Sequence, residues 1–60
     1  MTIGEWVRIE KDIPSVNGML YKHTIVKIDE FNEKENSIRV IDGLGKIWWV
    51  NPNSVSASFL

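Results

Sequence analysis

Apolar and polar residues alternate from Gly4 to Glu10, with Val7 and Ile9 on one side and Trp6, Arg8 and Glu10 on the other. A period of two marks a strand with one buried face. From Lys11 to His23 no period is sustained. This segment holds Pro14, which has no N–H for a ladder, and Asn17-Gly18, a strong hairpin signal. It is expected to form a long folded-back loop whose Val16, Met19, Leu20 and Tyr21 close one end of the core. Thr24 to Phe31 is rich in β-branched residues and predicts a second strand with Val26 and Ile28 as its inner pair. The charged run Asn32-Glu33-Lys34-Glu35-Asn36 reads as a turn, since a helix over Asp29 to Asn36 would lack an apolar stripe. Ser37 to Asp42 predicts a third strand, with Ile38 and Val40 facing one way and Arg39 and Ile41 the other. Gly43-Leu44-Gly45 turns into a fourth, Lys46 to Val50. Asn51-Pro52-Asn53-Ser54 predicts a turn tightened to a single 3₁₀ turn, and Val55 to Phe59 a short closing strand.

The adjacent tryptophans of the fourth strand decide which face is the interior. Neighbouring strand side chains point to opposite faces, so one of Trp48 and Trp49 fills the core and the other points outward. If Val50 and Val55 flank the proline turn from inside, parity places Trp48 inside. The core is then Val7, Ile9, Val26, Ile28, Ile38, Val40, Trp48, Val50 and Val55. The opposite faces carry Trp6, Arg8, Ile25, Lys27, Arg39, Ile41, Ile47 and Trp49, an apolar set for an outer surface. Two outcomes follow: the long loop covers Ile25, Ile47 and Trp49, or they remain as an exposed patch of the kind that marks interaction sites.

Composition narrows the function. Sixty residues make one domain, spanning the whole of 1–60, and a chain this short buries only about 60 % of its unfolded surface. Cysteine is absent and there is a single histidine, so neither disulfides nor a cysteine- or histidine-rich metal site can supplement the core. A partner subunit could. Seven basic and eight acidic residues give a formal charge of −1, unlike the basic balance of a dedicated nucleic-acid binder. The basic residues Arg8, Lys27 and Arg39 fall on strands, while acids gather between Asp29 and Glu35, so near-neutrality can hide a lopsided field. No apolar run approaches a membrane span, and Met1-Thr2-Ile3-Gly4-Glu5 lacks the order of a signal peptide. The chain reads as a complete small cytoplasmic gene product.

Five short strands, a long first loop and no helix point to an all-β small barrel. The residues Gly4-Glu5-Trp6-Val7-Arg8-Ile9 near the start and Gly45-Lys46-Ile47-Trp48-Trp49-Val50-Asn51-Pro52-Asn53-Ser54-Val55 near the end carry a resemblance. In strand order, long first loop, three-strand meander, one-turn helix and closing strand, the chain resembles the SH3-like small barrels. It is closer to the bare bacterial and bacteriophage type than to a signalling SH3 domain. The first strand lacks the Ala-Leu-Tyr-Asp-Tyr run, and Ser54 stands near the place of the aromatic that follows the proline turn. The resemblance implies a five-stranded barrel and assigns no chemistry.

Catalytic and ligand motifs give little. His23 has no serine or carboxylate at a suggestive spacing, and Glu30, Glu33 and Glu35 read as a solvated charged turn. Asp29 to Glu33 lacks the glycine of a calcium loop, and Gly43-Leu44-Gly45 lacks the helix that a phosphate loop needs. No catalytic, cofactor or metal residue is assigned, and the chain is read as not an enzyme. The favoured expectation is a protein-interaction module of phage or mobile-element type that docks on a host protein. Trp49 and Trp6 would be its anchors, Tyr21 and Ile41 would extend the patch, and Arg8 and Arg39 would orient the partner. Two alternatives are nucleic-acid binding through the meander face, suggested by Tudor and KOW barrels, and homodimerisation through the same patch.

Overall fold

The computed structural model describes residues 1–57. Its strands are β1 (Trp6–Ile9), β2 (Ile13–Ser15), β3 (Gly18–Leu20), β4 (Ile25–Asn32), β5 (Ser37–Ile41), β6 (Ile47–Val50) and β7 (Val55–Ala57), with a 3₁₀ turn at Pro52–Ser54. Five of them form one sheet in the order β6-β5-β4-β1-β7, and β2 and β3 make a separate hairpin. All pairings are antiparallel. No ladder joins β6 to β7 among the described residues, so the sheet is open there. The part of the expected closing strand beyond Ala57 lies outside the described residues. No helix among them is long and apolar enough to cross a membrane.

The period-two pattern settles the core. All nine residues assigned to the interior are buried, and Leu20 joins them, with Ile13 and Phe31 packed at the margin. Val26 faces Val7 across the β1–β4 ladder, and Val40 faces Ile28 and Trp48 on either side. The inner face is therefore a continuous apolar layer.

The loop between β1 and β4 departs from expectation. Only Leu20 of its four expected core residues is buried; Val16, Met19 and Tyr21 are exposed. The cause is strand alternation: in β3 Leu20 turns inward, and Met19 must then turn out. The hairpin frame is also displaced by one residue. Ser15 pairs with Gly18, so the turn is Val16-Asn17 and Val16 stands at its tip. Gly18 adopts φ of 128°, open to glycine but costly to any residue with a Cβ.

A β-bulge between Ile28 and Glu30 reshapes β4. Ile28 opposes Val40 and Glu30 opposes Arg39, which leaves Asp29 as the extra residue. Beyond it the parity of β4 is inverted, and Phe31, opposite the buried Ile38, packs against the core. The proline turn forms as expected. Asn51 is extended, as a residue before proline prefers, and its side chain accepts the Asn53 N–H at 2.8 Å. The Glu10 N–H donates to the carbonyl of the buried Ser54 at 2.7 Å, tying this turn to the end of β1.

Candidate functional site

The registers place the outward residues of the sheet in rows. Trp6 pairs with Lys27, Lys27 with Ile41, and Ile41 with Ile47, so one row crosses four strands. Beside it, Glu30 faces Arg39 and Arg39 faces Trp49, while Arg8 lies between Ile25 and Ser56. The loop does not cover this face: Trp6 is 50 % exposed, Ile25 41 %, Ile47 53 % and Trp49 49 %. Ile41, in the middle of its row, is half-buried. These side chains are therefore exposed, and the expectation that the long loop covers Ile25, Ile47 and Trp49 is corrected.

The two exposed tryptophans do not form one cluster. Trp6 on β1 and Trp49 on β6 are three strand steps apart, roughly 15 Å at ordinary strand spacing. Each has its own cation, with Lys27 5.9 Å from the Trp6 ring centroid and Arg39 5.8 Å from that of Trp49. Tyr21 is exposed in the turn between β3 and β4, off the sheet that carries the other five candidates.

Charges are arranged differently from the sequence expectation. The bulge sets Asp29 and Glu30 against Arg39, which bridges Asp29 at 2.5 Å and Glu30 at 2.9 Å. Arg8 pairs with Glu10 at 3.1 Å. The Ser56 hydroxyl also donates to Glu10, and this bond, followed by that from Arg8, holds the Glu10 carboxyl below its ordinary value. Both arginines thus have acids beside them on the strands, and the separation into basic strands and an acidic turn does not hold. Lys27 is the cation of this face with no ion pair among the described residues.

Along β6 the hairpin leaves a feature that the sequence reading missed. An open groove of about 200 Å³ runs between Ile13, Pro14, Ser15, Val16 and Asn17 on one side and Lys46, Ile47, Trp48 and Trp49 on the other. Lys46 spans it: its ammonium donates to the Asn17 carbonyl at 2.5 Å and lies 4.3 Å from the Trp48 ring centroid. A Cβ at Gly18 would stand 3.4 Å from that ammonium. Gly18→Ala is nonetheless expected to loosen the hairpin through backbone strain at its positive φ, at about 1–2 kcal/mol. Exchange of the hairpin amides should rise while those of β4 and β5 keep their protection. Equal loosening of all these strands would contradict the hairpin's independence.

Asp42 organises the approach to β6. Its Oδ1 accepts the N–H groups of Leu44 at 2.8 Å and Lys46 at 3.0 Å, and its Oδ2 accepts the Trp48 indole N–H at 2.9 Å. The indole bond, followed by the two backbone bonds, holds this carboxyl below its ordinary value. Asp directly before Gly-Leu-Gly is a side-chain-capped turn signal that could have revealed this role.

His23 is exposed at φ of 78°, and no group of three or more metal-ligating side chains occurs among the described residues. What the site offers is apolar and aromatic surface with paired cations, suited to binding. Comparison with known proteins finds no matching family model, curated relative or solved structure.

Proposed function

We propose that this chain is a non-enzymatic protein-interaction module, an SH3-like barrel that docks on another protein through the outer face of its sheet. The observation that carries the reading is the uncovered row and flank of Trp6, Ile25, Ile47 and Trp49, each close to half exposed. Apolar surface of this density on the outside of so small a domain is what a partner would bury. The fold assignment is supported by the order of elements: a first strand, a long loop with its hairpin, a three-strand meander, the 3₁₀ turn, and a last strand antiparallel to the first. The acids beside Arg8 and Arg39 disfavour a phosphate backbone as ligand, because each would have to be displaced or repelled.

A double variant, Trp6→Ala with Trp49→Ala, tests the reading. The expected result is an intact amide spectrum and a loss of at least about tenfold in affinity for proteins or peptides selected on the native chain. Undiminished binding by the folded double variant would remove the outer face from consideration.

A further inference from the structure

The groove beside β6 touches Lys46, Ile47, Trp48 and Trp49, four consecutive residues. Successive strand residues alternate between faces, so a groove that reaches all four runs along the strand's edge. Among the described residues β6 is a terminal strand, paired by β5 alone. The Asp42 N–H donates to the Lys46 carbonyl at 3.0 Å, which makes that pair hydrogen-bonded. An antiparallel ladder alternates, so Trp48 and Val50 also bond to β5, while Ile47 and Trp49 turn their N–H and C=O groups outward. Among the described residues no backbone group meets them.

Across the groove, β2 is likewise paired, among the described residues, on one side only, by β3. Pro14 at its centre has no N–H and cannot contribute a donor to a ladder with β6. The hairpin is instead tied down at its tip by Lys46. The result is an exposed strand edge beside an apolar wall, held apart from the segment nearest to it.

We infer that the β6 edge is a strand-addition site for an extended segment of a partner protein, a proposal that rests on the interaction-module reading and gives it a binding mode. The partner's backbone pairs with the outward groups of Ile47 and Trp49, and its alternate side chains pack on Ile13, Val16 and Trp48. Among the described residues the groove lining holds one ammonium, Lys46, and no carboxylate. Two donors of that ammonium remain after its bond to Asn17, so the segment carries an acidic residue at that end. The β6 of a second copy, Ile47–Val50, has no acid to bring to the same place.

The test selects linear peptides from a random display library on the full chain, then titrates the synthetic peptide into the isotope-labelled protein. Selected peptides should alternate apolar residues and carry aspartate or glutamate. On binding, the Ile47 and Trp49 amides should slow in exchange by at least about tenfold. N-methylation of the peptide at alternate amides should cost at least about tenfold in affinity, and methylation of the intervening ones much less. Lys46→Gln should abolish the acidic preference. Peptides indifferent to N-methylation that leave the Ile47 and Trp49 amides unprotected, yet are lost in the Trp6/Trp49 double variant, overturn the edge site and leave the outer-face reading standing. Protection of the same two amides by raising protein concentration alone assigns the edge to a second copy and overturns the proposed occupant. A selection that enriches nothing overturns it too, with the double variant judging the broader reading separately.

Discussion

Trp48→Ala is expected to leave little folded protein, whereas Trp49→Ala leaves the fold nearly as stable as before. Trp48 is 7 % exposed and sits between the inward side chains of β5 and the hairpin, with its indole N–H satisfied by Asp42. Truncating a buried tryptophan costs about 3–5 kcal/mol, part in lost transfer energy and part in the cavity left behind. Sixty residues at roughly 0.05–0.15 kcal/mol each have about 3–9 kcal/mol of stability in total. The loss therefore consumes much or all of it, and the variant should show a collapsed urea midpoint or no transition. Trp49 loses a half-exposed ring and its contact with Arg39, together about 1 kcal/mol or less. The two variants differ by one position in the chain. Equal destabilisation in urea melts would show that the parity of β6 is misassigned.

That parity was readable because nothing interrupts it. Val7 and Ile9, Ile38 and Val40, Trp48 and Val50 each sit on an uninterrupted alternation, and the turn between Val50 and Val55 announces itself through Asn51-Pro52. β4 shows where alternation ceases to report the face. Its alternation is valid through Ile28 and then inverts at the bulge, so that Phe31 turns inward and two acids meet Arg39. An extra residue in a ladder is a property of the pairing, and Asp29-Glu30 taken alone carries no mark of it. The hairpin is an intermediate case. Asn17-Gly18 signalled a reversal, yet the frame was set one residue earlier, where Ser15 accepts Gly18 as its partner and the glycine supplies a positive φ within the strand.

The candidate site divides in the same way. Trp6, Ile41, Trp49, Arg8 and Arg39 were identifiable as one face because a sheet projects every second residue together. Their separation into two tryptophan–cation pairs depends on strand order, which periodicity does not encode. The groove was invisible for a related reason: it is a gap between segments whose tie, Lys46 to Asn17, spans 29 positions of sequence. A sequence pattern reports what one segment buries. It is silent on the space two segments leave between them.

Asp42→Ala is expected to cost about 2–3 kcal/mol, a large share of the stability of so small a domain. One carboxylate ends two backbone N–H groups of the β5–β6 turn and the indole N–H of Trp48. Water can replace it at the Leu44 amide, which is exposed, but less well at the part-buried Lys46 amide and indole. Asp42→Asn should cost less than Asp42→Ala, because its amide oxygen can still accept the two backbone bonds, but its NH₂ then faces the indole N–H donor against donor and the Trp48 bond is lost. The same carboxylate predicts an acid dependence. Its proton affinity is lowered in the folded state, so its contribution is complete above the unfolded carboxylate value of about 4 and is lost as pH falls through the lower folded value. Glu10 acts in the same direction through Ser56 and Arg8. Urea midpoints of the native chain should fall with pH below about 4, and the fall should be shallower in Asp42→Asn. Parallel pH profiles for the two proteins would show that Asp42 does not carry the acid sensitivity. The structural consequence is specific to β6: without this anchor the Trp48 ring loses its orienting bond, and the strand edge on which the proposed partner would pair loses its fixed position beside the hairpin.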